Sequence, residues 1–267
     1  MDREGANPDF VQSLARGLAV IRAFDDRNRA LTVSDAARRT GLTRATARRL
    51  LLTLAELGYT ATDGRVFTLR PRVLELGYAY LSSAGLAETA HPHLERLVAA
   101  VHESSSLSVL DDTEITYVAR VSTRRIMTVD IDVGARFPAY CTSMGRVLLA
   151  GQPERWLEDY YARVTLRPLT ARTVTDVAAL RALVGRAARD GWAIVDQELE
   201  LGLRSIAVPI RDRAGAVVAA LNVSVHTSRG EVEEARAELL GPLLATASAI
   251  ECDLTTAARS RLTSVLP

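Results

Sequence analysis

Side chains with hydroxyl and sulfur groups cluster in residues 134–150, and they are spaced so that they could line a binding site for a small acid. Thr142 or Ser143 can cap a short helix there, and the first N–H groups of a helix, together with its dipole, favour an anion. Cys141 and Met144 beside them suit a ligand with an apolar body. The local pattern fits equally well an ordinary capped helix without a ligand.

Elsewhere in the chain, the residue types that commonly catalyse reactions or bind metals do not form a clear cluster. His91 and His93 lie two positions apart in a helical region and would point in different directions, so a solvated helix face is favoured over a metal site. Glu198 and Glu200 could lie close together on a strand, but a carboxylate pair alone is weak support for acid–base catalysis. The sequence has no glycine-rich phosphate loop. We therefore expect no catalytic residues, no metal and no cofactor.

Positive charge is concentrated in residues 27–72, which hold ten arginines against three acidic residues, a balance of +7 in a chain of net charge +1. The rest of the chain is therefore acidic. Duplex DNA is a polyanion that releases counterions when its phosphates are neutralised, so this segment suits DNA binding. The alternative is a solvated helical face.

The same segment has the pattern of a winged helix-turn-helix. Ser34 is expected to accept a backbone N–H at the start of the first helix, and Gly41 to end that helix in the left-handed conformation. Thr43 would cap the second helix, which runs to about residue 57. The dipeptide Asp63-Gly64 between short β-prone runs predicts a two-residue hairpin turn. Two helices joined by such a turn and followed by a hairpin form a DNA-binding unit.

The first turns of the second helix would then face base edges in the major groove, and the hairpin would reach phosphate or the minor groove. Thr46 and Arg49 are expected at phosphate or at the flank of the helix, and Leu50 and Leu54 in the core. The predicted DNA-binding residues are Ser34, Thr43, Arg44, Ala45, Thr46, Arg48, Arg49 and Arg65.

Two further helices are predicted in the first third of the chain. Residues 10–25 place apolar side chains on one helix face at Leu14, Leu18, Ile21 and Phe24. Residues 71–85 form a linker helix that starts at a proline and has an apolar side with Val73, Leu74, Leu76 and Leu81.

From residue 86 the pattern becomes that of an α+β domain. A helix to about residue 104 precedes β runs at 107–111, 115–121 and 126–133, and short connections favour antiparallel neighbours. Helices follow from 142, at 153–163 and at 177–190, then β runs at 192–196, 205–210 and 217–225, and a helix at 230–253. The predicted organisation is a DNA-binding domain at 10–70, the linker helix at 71–85 and an effector-binding domain at 86–257.

Composition predicts a cytoplasmic protein. Hydrophobic residues make up 48% of the chain, enough for a core, but no apolar run approaches the length of a membrane span. The N-terminus is too polar and too acidic for a secretion signal. Cys141 and Cys252 lie far apart and do not suggest a disulfide framework.

Four segments carry a resemblance to a known family: LARGLAVIRAF, GLTRATARRLLLTLAELGY, TSMGRVLLA and GWAIVDQELELGLRSIAVPIRDRAGAVVAALNVSV. From about residue 10 to residue 253 the chain resembles the IclR-type bacterial transcription regulators. Within them, TDGRVFTLRPRVLELGYAYLSS and VARVSTRRIMTVDIDVGARFPAYCTSMGRVLLA resemble the branch that controls aromatic-acid catabolism through the β-ketoadipate pathway.

The resemblance implies a winged helix-turn-helix joined by a helix to a GAF-like effector domain with an antiparallel sheet flanked by helices. It also implies dimers through the N-terminal domains and tetramers through the effector domains. The implied partners are double-stranded operator DNA and a small carboxylate effector: protocatechuate, 4-hydroxybenzoate or β-ketoadipate. The choice between aromatic acids and ring-cleavage products stays open.

The resemblance also implies where the effector binds, with its carboxylate at the helix start that TSMGR matches. The effector-binding residues implied by the resemblance are Ser143, Met144, Asp196, Ser205, Asn222 and Ser224. The local pattern of the helix start adds Cys141, Thr142 and Gly145 to the predicted site. Relatives often have cysteine where Ser205 stands and serine where Asn222 stands, and both changes leave polar groups. Arg124, Arg125 and Arg136 could pair with a second carboxylate, although surface charge is the favoured interpretation.

Three functions compete on this pattern. A ligand-responsive transcription regulator accounts for both halves of the chain. A small-molecule-processing enzyme with an accessory nucleic-acid domain would need a catalytic set that the sequence does not assemble. A structural nucleoid protein would leave the large second domain without a role.

Overall fold

The computed structural model describes residues 9–25, 27–76, 85–123 and 131–263. The chain divides into two compact units, Met1–Tyr80 and Leu81–Pro267. This division falls inside the predicted linker helix, while the finer domain limits of 10–70, 71–85 and 86–257 stay a prediction.

The first unit is a winged helix-turn-helix, as predicted. Its described elements up to residue 69 are α1 (Gln12–Arg22), β1 (Ala30–Leu31), α2 (Val33–Thr40), α3 (Arg44–Glu56), β2 (Thr60–Thr62) and β3 (Phe67–Leu69). The strands form an antiparallel sheet in the order β1-β3-β2. The sequence did not predict strand β1, because a strand of two residues is too short to show an alternating hydrophobic pattern.

The turn between α2 and α3 follows the local signals. Gly41 ends α2 with φ 66°, a left-handed conformation that only glycine adopts without strain, and Thr43 caps α3 by accepting the N–H of Thr46 at 3.2 Å. The prediction for Ser34 as the cap of α2 was wrong. Thr32 caps α2, because it exchanges hydrogen bonds with Asp35 in a reciprocal capping box, and Ser34 is an exposed residue in the first turn.

The wing has a longer turn than predicted. Strands β2 and β3 pair Thr62 with Phe67, so the loop holds four residues, 63–66, and not two. The Asp63 carboxylate accepts the N–H groups of Arg65 and Val66, both at 2.8 Å. The Asp63 side chain therefore closes a four-residue loop in place of the predicted two-residue turn.

The core of the first unit includes Val20, Ala36, Ala47 and Leu51, all fully buried. Leu54 is buried as predicted, while Leu50 is only partly buried. Of the apolar face predicted for α1, Phe24 is buried and Ile21 packs against the core, but Leu14 and Leu18 are exposed.

After the wing, the described chain continues to residue 76. Pro71–Leu74 form a 3-10 turn, in which Leu74 is exposed, as is Leu76 after it. Leu81 and the remainder of the predicted linker helix, residues 77–84, lie outside the described residues.

The second unit has the predicted α+β fold. Its helices are α4 (Leu86–Val101), α5 (Ser143–Ala150), α6 (Glu154–Arg163), α7 (Val177–Asp190) and α8 (Val232–Thr263). Its strands are β4 (Ser104–Asp111), β5 (Glu114–Val121), β6 (Arg136–Pro138), β7 (Ala193–Asp196), β8 (Leu203–Arg211) and β9 (Val217–His226). They form one antiparallel sheet in the order β6-β5-β4-β9-β8-β7.

One predicted strand lies mostly outside the described residues. Of the run at 126–133, residues 126–130 lie outside the described part, and 131–133 are not in a strand. The edge strand is β6, three residues further along, which pairs with β5.

Strand alternation divides the sheet into two faces. One face packs against α4 and α8 through residues such as Leu107, Val208, Leu221 and Val223. The other face lies under α5, α6 and α7, with Ala207 and Ala220 at its centre. We call this second face the pocket face, because it borders the site below.

His93 is buried, contrary to the solvated position predicted for it. Its ring nitrogens lie 2.8 Å from the Asp253 carboxylate and 2.9 Å from the Arg96 guanidinium. Among the described residues, no cluster of histidine, cysteine, aspartate or glutamate is arranged to hold a metal ion. Within the same residues, no helix is long and apolar enough to cross a bilayer.

Candidate effector pocket and DNA-binding surface

Helix α5 begins with two unused donors. Thr142 caps the helix: its hydroxyl accepts the N–H of Gly145 at 3.1 Å, and its carbonyl accepts that of Arg146 at 3.0 Å. The N–H groups of Ser143 and Met144 have no acceptor among the described residues. The sequence predicted this arrangement at either Thr142 or Ser143, and the structure assigns the cap to Thr142.

Gly145 sets how closely α5 approaches the preceding 3-10 turn, Ala139–Cys141. A methyl group on Gly145 would overlap the backbone carbonyl of Ala139. Gly145 therefore packs against this turn and does not line the cavity, although it was predicted among the effector-binding residues. Its role is to seat the helix start that carries the donors.

A narrow pocket lies between the start of α5 and the pocket face of the sheet. It is lined by Tyr117, Ile131, Cys141, Thr142, Ser143, Met144, Val195, Leu199, Leu203, Ser205, Asn222 and Ser224. The cavity has a volume of only about 10 Å³. That is room for about one water molecule, so a larger ligand requires the walls to move apart.

The polar groups of the pocket are predominantly hydrogen-bond donors. The Ser143 hydroxyl donates to the Ser205 hydroxyl at 2.8 Å, which leaves the Ser205 proton for another acceptor. The Asn222 amide oxygen accepts the backbone N–H of Ser106 at 3.0 Å, which fixes its NH₂ group toward the Ser224 hydroxyl, also at 3.0 Å. A wall of this kind favours a ligand rich in acceptor oxygens, such as a carboxylate.

The remaining walls are neutral. Burial raises the pKa of the Cys141 thiol to about 12 and that of the Tyr117 hydroxyl to about 12. Both groups therefore keep their protons near neutral pH. The Met144 thioether accepts the Ser108 hydroxyl at 3.2 Å. Among the described residues that line the cavity, no acidic side chain is present to repel a bound anion.

Seven of the nine predicted effector-binding residues line this pocket, and Gly145 and Asp196 do not. Asp196 follows Val195 on β7, so strand alternation turns it to the opposite face of the sheet. There its carboxylate binds Arg204 and Arg172, each at 2.8 Å. The acidic residue after the GWAIV segment therefore holds the sheet together and does not contact the cavity.

The predicted strand pair of Glu198 and Glu200 is also wrong. Strand β7 ends at Asp196, and Gln197 adopts φ 61° at the start of a loop. Glu198 is buried in this loop and binds Arg146 of α5 at 2.6 Å. Its carboxylate also accepts the N–H of Val174 at 3.1 Å.

This ion pair connects two walls of the pocket. Arg146 lies about one turn of α5 after Ser143, and Glu198 precedes Leu199, which lines the cavity. The Arg146 side chain also donates to the carbonyl of Tyr140 at 3.2 Å. No local pattern indicates this contact, because an arginine in an apolar helix looks like a surface residue.

Five apolar or aromatic wall residues were missed by the sequence: Tyr117, Ile131, Val195, Leu199 and Leu203. Leu203 lies two positions before Ser205 on β8, and strand alternation turns both side chains toward the cavity. Alternation could therefore have predicted Leu203 from the sequence. Arg136 is half-exposed and forms ion pairs with Asp111 and Glu114, as expected of a surface charge. Arg124 and Arg125 lie outside the described residues.

The exposed face of α3 gathers the residues predicted to contact DNA. Thr43, Arg44, Ala45, Arg48 and Arg49 are exposed, whereas Thr46 is partly buried, its hydroxyl 2.9 Å from that of Thr43. Arg65 is exposed in the wing turn. In the described part of the chain, no acidic side chain pairs with these arginines, so their charge is available to a polyanion.

A winged helix-turn-helix with a basic exposed helix, in the same chain as an α+β unit with a narrow polar pocket at a helix start, defines a transcription regulator. Residues 13–64 match the IclR helix-turn-helix domain, and residues 78–252 match the bacterial transcriptional regulator IclR C-terminal domain. The chain belongs to the IclR family.

Similar proteins cover nearly the whole chain. The Pca regulon regulatory protein of Pseudomonas putida is 50% identical over 240 residues, 90% of this chain and 82% of that protein. The p-hydroxybenzoate hydroxylase transcriptional activator of Acinetobacter baylyi is 36% identical over 226 residues, 83% of each chain.

Two solved structures are also similar. A transcriptional regulator from Rhodococcus sp. RHA1 superposes with a TM-score of 0.82 at 56% identity, covering 93% of this chain and 100% of that one. An IclR homologue from Microbacterium hydrocarbonoxydans, solved in complex with 4-hydroxybenzoate, superposes with a TM-score of 0.80 at 31% identity, covering 91% and 98%.

Proposed function

We propose that this regulator controls genes of aromatic-acid catabolism and that its effector is a small carboxylate bound at the start of α5. One observation carries the proposal: the N–H groups of Ser143 and Met144 lack acceptors among the described residues and border a pocket with further donors. The helix dipole favours negative charge at this position. The relative named for p-hydroxybenzoate hydroxylase and the homologue bound to 4-hydroxybenzoate support an acid of this pathway.

The effector regulates only if its affinity differs between the DNA-competent and DNA-incompetent arrangements. The narrow pocket supplies a reason for such a difference, because a ligand larger than water must separate α5 from the sheet. We propose that the pocket binds its acid without catalysis. We also propose a cytoplasmic location, where a bacterial regulator meets its operator.

To test this function, fragments of genomic DNA that bind the full-length protein are selected, and the bound site on each fragment is mapped by footprinting. Titration with 4-hydroxybenzoate, protocatechuate and β-ketoadipate should shift the DNA affinity for at least one acid. Incubation of each acid with the protein should yield no product. A protein that binds DNA but responds to none of these acids would contradict the proposed effector class.

On the DNA side, we propose that Thr43, Arg44, Ala45 and Arg48 meet base edges in the major groove. Ser34, Thr46 and Arg49 would lie near phosphate, and Arg65 would bind phosphate or the minor groove. Two observations support this proposal. Exposed arginines occupy these positions, and residues 27–72 carry a net charge of +7. The exposed arginines are Arg44, Arg48, Arg49 and Arg65.

Replacing Arg44 with alanine should cost roughly 1–3 kcal/mol of binding free energy at the operator and relax its sequence preference, because the guanidinium would no longer read a base edge. Quantitative footprinting on specific and random DNA measures both effects. Arg189→Ala, an exposed arginine of α7, is the matched control and should leave binding unchanged. Unchanged operator binding by Arg44→Ala would mean that another element occupies the groove.

We also propose that the chain forms dimers through its first unit and tetramers through its second. One helix-turn-helix reads only a few base pairs, so a dimer would bind two half-sites about one helical turn apart or a multiple of that. The apolar residues Phe10, Val11, Leu14 and Leu18 are all exposed near or on α1. A contiguous exposed apolar surface of this kind supports an interface with a second copy.

Placing a charge on this surface should weaken the N-terminal dimer. Leu18 and Leu169, which lies in the second unit, are both 45% exposed, so Leu18→Glu and Leu169→Glu form a matched pair. Sedimentation should show a smaller species for Leu18→Glu alone, and cooperative binding to paired half-sites should be lost with it. The proposal would be wrong if both variants kept the wild-type assembly.

A further inference from the structure

A buried hydroxyl without a hydrogen-bond partner lies behind the wall of the pocket. Among the described residues, Tyr160 of α6 is fully buried, yet its hydroxyl neither donates nor accepts a hydrogen bond. The Thr116 hydroxyl is also unpartnered there, but it belongs to a partly exposed residue of β5. Buried polar groups of folded proteins are nearly always paired, so the Tyr160 hydroxyl needs an explanation.

The ring of Tyr160 is held by aromatic neighbours on its own helix. It stacks on the ring of Trp156 with 5.6 Å between the ring centres, and it meets the ring of Tyr161 edge-on at 5.5 Å. A phenylalanine would fill the same space and make the same ring contacts. The packing of the ring therefore does not account for the hydroxyl.

The Tyr160 hydroxyl lies near the turn that carries one wall of the pocket. Burial raises the pKa of this hydroxyl, and the neighbouring groups of Tyr161, Cys141 and Tyr140 raise it further. Cys141 is the last residue of the 3-10 turn before α5, and it lines the pocket. Cys141 therefore borders the cavity and also interacts electrostatically with the Tyr160 hydroxyl.

Cys141 can supply the missing partner if it is displaced. Its thiol donates to the carbonyl of Pro138 over a long 3.7 Å, and its sulfur can still accept a hydrogen bond. The closed pocket has room for about one water molecule, so a larger ligand must push its walls apart. A ligand that pushes Cys141 away from the cavity would move the sulfur toward the Tyr160 hydroxyl.

We propose that Tyr160 is a positioning residue for effector binding: its hydroxyl is unpaired while the pocket is closed and donates to the Cys141 sulfur when a ligand displaces that wall. The inference rests on the proposed function, which places the effector at the start of α5. The unpaired hydroxyl destabilises the closed pocket and the new bond stabilises the open one, so both effects favour binding. Tyr160 acts through Cys141 and does not touch the ligand.

Tyr160→Phe tests this inference, because it removes the hydroxyl and keeps the ring. Without ligand, the variant should melt at least about 2 °C above the wild type, since no buried donor is left unpaired. Calorimetry on the full-length protein with 4-hydroxybenzoate, protocatechuate and β-ketoadipate should show about 10- to 100-fold weaker binding of each acid that the wild type binds. Tyr161→Phe, the same change on the next residue, is the matched control and should keep the wild-type affinity.

A double-mutant cycle tests the route through Cys141. In a Cys141→Ala background, or Cys141→Val if the former does not fold, Tyr160→Phe should no longer weaken binding, because the acceptor is already gone. A melting temperature of Tyr160→Phe that does not rise would show that the hydroxyl is paired in the closed protein and would overturn the inference. Unchanged affinity, or an equal loss in both backgrounds, would overturn it and leave the proposed function intact. Binding of none of the three acids by the wild type would defeat the proposed function, and this inference with it.

Discussion

Replacing Ser143 with proline is expected to abolish carboxylate binding while α5 stays folded. Proline removes one of the two unused N–H groups at the helix start, together with the hydroxyl that donates to Ser205. Ser143 is the first residue of the helix, where proline is tolerated, and Thr142 before it is already extended at φ −123° and ψ 145°. Calorimetry with the acid found for the wild type measures the loss, and a thermal melt measures folding.

Ser143→Ala is the control for this change, because it removes the hydroxyl and keeps the N–H group. It should weaken binding only modestly, by about 1 kcal/mol for one hydrogen bond. If Ser143→Pro binds the acid as well as the wild type does, the ligand does not use the start of α5. If both variants lose binding equally, the hydroxyl and not the backbone donor is the important contact.

Removing the Arg146 side chain is expected to cause the largest loss of stability. Arg146 and Glu198 are both buried, and their ion pair measures 2.6 Å. Arg146→Met leaves the Glu198 carboxylate buried without its cation, which should cost about 3–5 kcal/mol of the free energy of unfolding. Urea unfolding followed by circular dichroism measures this cost.

Two controls separate burial from simple loss of an ion pair. Arg163 and Asp112 form an exposed pair at 2.7 Å, so Arg163→Met should cost less than about 1 kcal/mol. The double variant Arg146→Met with Glu198→Gln should recover part of the stability, because the uncompensated charge is gone. Equal costs for Arg146→Met and Arg163→Met would contradict the assigned role of burial.

The sequence alone predicted the winged helix-turn-helix, because its determinants act over a few residues. The left-handed end of α2 at Gly41 and the cap of α3 at Thr43 depend only on neighbouring backbone groups. Helix α7 likewise spans Val177–Asp190, the limits predicted from its periodicity. The resemblance of whole segments then indicated the family, which the comparisons confirm.

Local rules failed where two candidates competed within a few residues. Thr32 rather than Ser34 caps α2, since only Thr32 has an acidic partner three positions later at Asp35. Asp196 was placed in the pocket from the resemblance, yet a one-residue change along a strand turns a side chain to the other face. The resemblance located the segment, but the alternation of β7 decided the direction.

Only the tertiary structure decided which side chains meet at the pocket. Ser143 contacts Ser205 across 62 positions, and Ser106 contacts Asn222 across 116, so no local pattern relates them. A β-bulge leaves Val118 as an extra residue of β5 and thereby turns Tyr117 to the pocket face, and this bulge is a property of the pairing between β4 and β5. Caps and turns are local and can be read from the chain, whereas register and burial arise from packing between distant segments.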